Sequence, residues 1–453
     1  MHREDFGADF IWGVSSAAYQ IEGAHNMDGK GTSIWDTFTH KKGNILYNQN
    51  GDVACDFYHH YAQDIALMRQ MNIVNSRFSL AWSRIIPKGH GAVNHKGIDF
   101  YKRVIDFYRE VGITPWVTLY HWDLPQALQD KGGWANRDVV YWFADYVHTC
   151  ARYFGDLVDN WMILNEPMVF TGAGYFLGVH APGKKGISNF LPAVHHAALC
   201  QAEGARILKS HNPHCQVGTT FSCSDIAPFT DNPKDLAAAV RVDAVINRLF
   251  VEPLAGKGYP LDKLPFLSRL EKYMKPGDEA RLAYDMDFIG IQNYTREKVA
   301  YSYLMPFIHA RLVDARKRNV PTTEMNWEVY PPCIYNMLHQ FSSYGFRNLM
   351  VTENGAAFKD VVKDGRVHDE PRKKYLQQHL AQVLKAKEAG VPVNGYFVWS
   401  FTDNFEWAEG YHPRFGLVHV DYKTQKRIVK ASGNWYSHFI NASAHTPAAG
   451  VNP

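Results

Sequence analysis

The feature that most constrains this chain is an alternation. Eight short apolar runs, at 10–14, 73–78, 113–120, 157–164, 216–222, 287–291, 348–352 and 393–399, are separated by longer stretches of helical periodicity. Residues 97–112 show the period best: Ile98, Tyr101, Val104, Ile105, Tyr108 and Val111 recur three and four apart, and Gly112 follows. Residues 370–390 repeat it through Tyr375, Leu376, His379, Leu380, Val383 and Leu384, ending at Gly390. This spacing puts one apolar face on a helix, and a glycine past the last turn stops it. Strands apolar on both faces and joined by helices belong to parallel sheets.

Such a sheet either stays open and doubly wound or closes into a barrel. After the first run the chain reads "GVSSAAYQIEGA", without the G-x-G-x-x-G phosphate turn of the open form. No linker rich in Pro, Gly or Ser divides the 453 residues, and no repeat period is evident. The expected fold is α/β: a single-domain (β/α)8 TIM barrel over residues 1–445, with extended rim loops and a flexible tail at 446–453. The stretches 225–284 and 294–345 read as inserted loops plus helix.

Barrel chemistry collects where strands end. "NWMILNEPMVF" runs apolar residues into Glu166 and then Pro167, and "NLMVTENGAAF" does the same into Glu353. An unpartnered buried carboxylate is costly. Two of them at strand ends therefore read as a pair, brought together across 353 − 166 = 187 residues of chain. The same rim receives Gln20 and Glu22, Arg77, His121 and Trp122, Asn293 and Tyr294, and Trp399. One protonated and one ionised carboxyl fit glycosidic bond cleavage. Arg77 beside one Glu would keep it charged, and an apolar wall would raise the pKa of the other.

Metal-assisted hydrolysis through His121, Asp123, Glu166 and Glu353 is the rival. No H-x-H, H-E-x-x-H or Asp-rich loop sits at a strand end, and the His pairs at 59–60 and 195–196 fall in helical stretches. His211, His214 and Cys215 read as a polar helix end and turn. No metal is expected.

Composition narrows the partners. Lys+Arg 48 against Asp+Glu 45 leaves a net charge of +3, and "RKK" at 372–374 reads as a solvated helix start, so neither nucleic acid nor a membrane is expected. No apolar run is long enough to span a bilayer, and "MHREDFGADFIWG" has no apolar signal core. The six cysteines, scattered and without a C-x-x-C pair, read as reduced and mostly buried. The expected location is cytoplasmic. Aromatics at 14% point by themselves to a large aromatic core; at a rim, such rings also suit the C–H faces of sugars.

At these residues the sequence resembles glycoside hydrolase family 1, the β-glucosidase family. The resemblance runs from "FIWGVSSAAYQIEG" through "LYHWDLPQAL", "LNEP", "DFIG", "VTENG" and "WSFTDNFEWAEGY" to "RFGLVHVDY". It implies a retaining, exo-acting β-glycosidase for terminal nonreducing β-D-glucosyl residues, also accepting β-fucosides and β-galactosides. Glu166 would be the acid/base and Glu353 the nucleophile. Asn165 would hold the sugar 2-hydroxyl, while Arg77 and Tyr294 would contact Glu353. Gln20, His121, Glu406 and Trp407 would bind the other hydroxyls, and Trp399 would floor the ring. Trp122, Trp327 and Phe415 complete the implied substrate-binding set. No cofactor is implied. The partners would be small-molecule β-glycosides and oligosaccharides, with the oligomeric state left open.

Variable positions refine this. Glu stands at 166, where thioglucoside-cleaving relatives carry Gln. Glu406 stands where 6-phosphosugar relatives place Ser, and a carboxylate there is expected to repel phosphate. In "IQNYT", Gln292 replaces the usual Asn, which is expected to weaken the support of the acid/base and the 2-hydroxyl. In "NWEVYPPCIY", Trp327 is kept as an aglycone platform or rim packing, while Asn326, Pro332 and Cys333 are expected to reshape the cleft mouth. A transglycosidase would use the same intermediate. A catalytically silent sugar-binding barrel is disfavoured, because both Glu residues are present.

Overall fold

All eight apolar runs form strands in the computed structural model, which describes residues 1–441. They are β1 (Ile11–Ser15), β2 (Asn75–Ser79), β3 (Thr114–Tyr120), β4 (Asn160–Asn165), β5 (Gln216–Pro228), β6 (Phe288–Tyr301), β7 (Leu349–Asn354) and β8 (Val393–Trp399). Each pairs in parallel with the next, and β8 returns to β1, where Ile11 faces Gly395 and Ser15 faces Trp399. The sheet is closed, as the missing phosphate turn implied. The expected tail at 446–453 lies outside the described residues.

Helices between the strands supply the outer layer. His95–Glu110 buries Ile98, Tyr101, Val104, Ile105 and Tyr108, and Glu370–Glu388 buries Tyr375, Leu376, His379, Leu380 and Val383. The inside of the barrel is itself packed, as small barrels require. Trp116, Met162, Phe288, Met350 and Phe397 form one buried cluster from five different strands. Glycines make room for those rings: a Cβ at Gly13 or Gly218 would lie 2.5 Å from Phe397 or Phe288. With the N-terminal half of the barrel filled, only the C-terminal rim is free to form a cavity.

Three expectations change. β5 and β6 run past the barrel, Asp225–Pro228 facing Arg296–Val299, and a short strand, Ala310–Leu312, pairs antiparallel with the end of β6, so parts of 225–284 and 294–345 are strand rather than loop. The extension has a small core of its own, in which Ala238, Ala239 and Val242 of the helix Pro233–Asp243 pack on Val299 and Ala310. Arg372 is not solvated but 1% exposed; it bonds the carbonyls of Ala356 and Arg414 and pairs with Asp369 and Asp360. Pro332 and Cys333 open the helix Pro332–Ser342 and stay out of the cleft, Cys333 being completely buried. All six cysteines are buried and unpaired. Among the described residues, no helix is long and apolar enough to cross a membrane.

Candidate active site

Two strand ends set the site. After Asn165 the chain must leave β4, and Pro167 fixes the first position of a short helix, Pro167–Thr171. Glu166 therefore lies just beyond the strand rather than in it, with a positive φ of 47° that only a few per cent of non-glycine residues adopt. Its N–H is held by the Thr220 carbonyl of β5 at 3.0 Å. The β4–β5 register shifts between Met162 and Asn165, an irregularity of the kind that re-aims side chains next to active sites. Glu353 stays within β7. Two residues on, the chain passes so close to β8 that a Cβ at Gly355 would lie 1.8 Å from the Trp399 carbonyl oxygen, which is why "ENG" ends in glycine.

Both carboxylates line one cavity of about 280 Å³ at the C-terminal end of the barrel. His121, Trp122, Tyr294, Trp327, Trp399, Glu406, Trp407 and Phe415 line it with them. Gln20, Arg77 and Asn165 lie immediately behind this wall, tied to it by hydrogen bonds. The thirteen side chains chosen from sequence therefore meet at one place.

The carboxylates have different surroundings. Glu353 is ion-paired to Arg77, accepts from Gln292 Nε2 at 2.8 Å on the same oxygen, and accepts from the Tyr294 hydroxyl at 2.5 Å on the other. Burial pushes its pKa up, while the Arg77 charge and the Tyr294 and Arg77 hydrogen bonds pull it back. Glu166 has a hydrogen bond from Ser222 and a long one, 3.5 Å, from Asn165 Nδ2. Burial, then repulsion from Glu353, drives its pKa well above the usual carboxylate range. Glu353 thus ionises first and Glu166 keeps the proton.

Asn165 links the two. Its Oδ1 accepts from Arg77 Nη2 at 2.5 Å, Gln292 Nε2 at 2.8 Å and Thr220 Oγ1 at 3.0 Å, leaving Nδ2 directed at His121 Nε2, 3.0 Å away, and at Glu166. Gln292, expected to weaken the support of the acid/base, instead braces Asn165 and Glu353 together with one amide nitrogen. The longer side chain does this because Gln292 sits directly across from Glu353 in the β6–β7 register.

The remaining wall is aromatic and largely uncharged. Burial, then the Arg77 charge, lowers the His121 pKa well below the usual value, so the ring is neutral. Because Nε2 accepts from Asn165, Nδ1 carries the proton, and that buried N–H has no partner among the described residues. The Trp122 indole N–H donates to the Asn165 carbonyl at 2.9 Å, so this ring offers its face rather than its N–H. Trp327 lies 5.2 Å from the Tyr294 ring and 6.1 Å from Phe415, so it is both rim packing and cavity wall. Asn326, at φ 59°, turns the chain just before that tryptophan and, like Pro332 and Cys333, does not itself line the cavity. Gln20 donates to Asn404 and to the Phe405 carbonyl, each at 3.0 Å, and more weakly to Glu406 at 3.4 Å. Burial and repulsion from Glu353 and Glu409 push Glu406 up to about 8.

Sequence reading missed Ser222, His180, Glu297 and Glu409, which also line the cavity. Ser222 was legible as the last residue of the fifth apolar run. His180 and Glu409 sit in connections whose path only the fold sets, and Glu297 on the part of β6 that continues past the barrel. A possible ion site lies elsewhere, where Asp360, Asp403 and His419 converge. Lys430 Nζ already lies 2.5 Å from Asp360 and 2.6 Å from Asp403, with Arg372 and Arg414 beside it, so cations of the chain satisfy that cluster.

Two unlike carboxyls in an aromatic cavity at the C-terminal mouth of a (β/α)8 barrel define a site for acid–base hydrolysis of sugar derivatives. The comparisons with known proteins agree. The model of glycosyl hydrolase family 1 matches residues 2–445, and the chain belongs to that family. It is 44% identical to β-glucosidase A of Thermotoga maritima over 97% of this chain and 98% of that one. The solved family 1 β-glucosidase of that organism superposes with a TM-score of 0.93, covering 96% of this chain and 98% of its own; it has also been solved in complex with deoxynojirimycin. A 6-phospho-β-galactosidase of Clostridium acetobutylicum is 35% identical, over 95% of this chain and 96% of that relative.

Proposed function

We propose that the protein is a retaining exo-β-glycosidase that releases terminal nonreducing β-D-glucosyl residues, and β-fucosyl and β-galactosyl residues, by double displacement. The single observation that carries this is the split between the carboxylates: Glu353 held by three donors, Glu166 by burial and repulsion. In the first step Glu166 gives its proton to the leaving oxygen while a Glu353 oxygen attacks the anomeric carbon, forming a glycosyl-enzyme ester. In the second, Glu166, now ionised, takes a proton from water, which displaces Glu353. Asn165 Nδ2 serves the 2-hydroxyl, where hydrogen bonds tighten in the oxocarbenium-like transition state. His121 Nδ1–H, Gln20, Glu406 and Trp407 serve the other hydroxyls, Trp399 the ring, and Trp327 with Phe415 the leaving group. The relatives named β-glucosidase support glucoside as the substrate.

The other named relative raises phosphosugars as an alternative. Glu406 held at about 8 is mostly uncharged at neutral pH, so simple repulsion of a phosphate is weaker than its residue type suggested. The stronger objection is that no Lys or Arg stands among the described residues lining the cavity. A cytoplasmic setting and a domain spanning 1–445 belong to the same proposal; the six free cysteines support the first and the family match over 2–445 the second.

The test compares kcat/KM for nitrophenyl β-glucoside, β-fucoside, β-galactoside and 6-phospho-β-glucoside, then repeats the best substrate with Glu353→Gly. Hydrolysis of the first three and its loss in the variant are expected, with added azide yielding the inverted glycosyl azide. Cleavage of the phosphosugar alone would overturn the substrate assignment. Undiminished activity in Glu353→Gly would overturn the nucleophile.

A further inference from the structure

The leaving group must sit on the Glu166 side of the cavity, because Glu166 protonates the leaving oxygen in the reading above, on which this inference rests. That side is walled by β5 and β6: Ser222 donates to Glu166, and Ser224 and Glu297 also line the cavity. Glu297 lies three residues beyond Tyr294 on β6, roughly 10 Å farther toward solvent at the strand's rise per residue. It therefore stands nearer the mouth of the cavity than Tyr294 does.

Glu297 has no hydrogen bond or ion pair among the described side chains, although it is partly buried. The neighbouring cation, Arg318, is paired at 2.7 Å with Glu328, which is in turn held by Arg296. Glu409 is a further cavity-lining carboxylate, beside Glu406. Glu166, Glu353, Glu406, Glu297 and Glu409 line the cavity together, with no Lys or Arg among the described residues of its wall. The buried N–H of His121, also without a partner, marks the same cavity as built for a bound molecule. A partly desolvated carboxylate without an ion pair attracts an opposite charge more strongly than one in open water does.

We propose that Glu297 is a specificity-determining residue for the leaving-group side, selecting β-glycosides whose aglycone carries a cationic nitrogen and rejecting anionic ones. Burial, offset in part by Arg318 and reinforced by Glu328 and Asp314, holds Glu297 at about 7. An ammonium group arriving beside it favours the ionised form.

Three glucosides of similar shape test this: 4-(trimethylammoniomethyl)phenyl, its uncharged 4-neopentylphenyl counterpart, and 4-(carboxymethyl)phenyl β-D-glucoside. The wild-type to Glu297→Gln ratio of kcat/KM, taken for each substrate, cancels the intrinsic reactivity of each leaving group. The cationic ratio should exceed the neutral one about tenfold and the anionic ratio should fall below it about threefold, both differences shrinking with added salt. Glu297→Asp should keep part of the preference. Equal ratios for all three substrates would overturn the inference and make Glu297 a structural residue. If wild-type enzyme cleaves none of them, the hydrolase reading fails instead. Benzyltrimethylammonium affinity then decides, and equal binding to wild type and Glu297→Gln overturns this inference as well.

Discussion

Two buried acidic clusters in this protein make opposite use of the same residue types. Around Asp360, Asp369 and Asp403, three cations, Arg372, Arg414 and Lys430, lie within ion-pair distance. In the cavity, Glu166, Glu353 and Glu406 share a single ion-paired cation, Arg77. Burial pushes Asp360 up, yet the hydrogen bond from His419 and the Lys430 and Arg372 charges outweigh it and hold the carboxyl well below the usual range. At Glu166 the same burial, reinforced by Glu353 and only partly offset by Ser222 and Arg77, keeps the carboxyl protonated. Buried acidity is thus a structural feature when neutralised and a chemical one when left short of cations.

Breaking the deficient side should produce the largest effect. Glu166→Gln should lower kcat for a poorly activated alkyl glucoside by roughly 10³-fold, the usual scale of lost general acid catalysis. Wild-type kcat/KM should fall as pH rises through the raised Glu166 pKa, since the acid form is then lost. With an activated aryl glucoside, the variant should show no such alkaline limb. An unchanged limb would assign the proton to another group.

Arg77→Met removes the one cation ion-paired to these carboxylates among the described residues. We expect kcat to fall about 100-fold, in line with the loss of a buried charge-assisted contact. The acid limb of the pH profile should move to higher pH, because the charge favouring ionised Glu353 is gone. A limb that stays in place would mean that Gln292 and Tyr294 suffice to hold the anion.

On the balanced side, Lys430→Met should leave Asp360 and Asp403 facing each other and cost about 3 kcal/mol of stability at neutral pH, measured by denaturant unfolding. The sign with pH follows from the depressed Asp360 value. Its contribution is present above the unfolded carboxyl pKa of about 3.9 and is lost as pH falls below it. In the variant the depression weakens, so that contribution to stability should shrink. Catalysis by the folded fraction should change little, which separates the two clusters experimentally.

The smallest effect belongs to Gln292→Asn. One methylene fewer cannot reach both Asn165 and Glu353, and losing one such hydrogen bond, about 1 kcal/mol, corresponds to a roughly fivefold loss in kcat/KM. Improved activity would show that the glutamine is a compromise rather than a brace.

The sequence by itself determined the strands, the barrel and the thirteen side chains around the cavity. Strand and helix periods are local, and closure was implied by eight strands without a phosphate turn. Its errors lay where contacts between distant segments decide. Arg372 reads as a solvated helix start because its neighbours are basic, but Asp360 and the Arg414 carbonyl, brought from other connections, bury it. Gln292 reads as a weakening of the site because its type differs; its position across from Glu353 makes it a support. Glu297 carries no local signal at all, since its role depends on β5 and β6 continuing past the barrel and on Arg318 being paired elsewhere. The distribution of protons belongs to the tertiary structure for the same reason. A carboxyl's pKa is set by burial and by charges a few ångströms away, and these come from residues far apart along the chain.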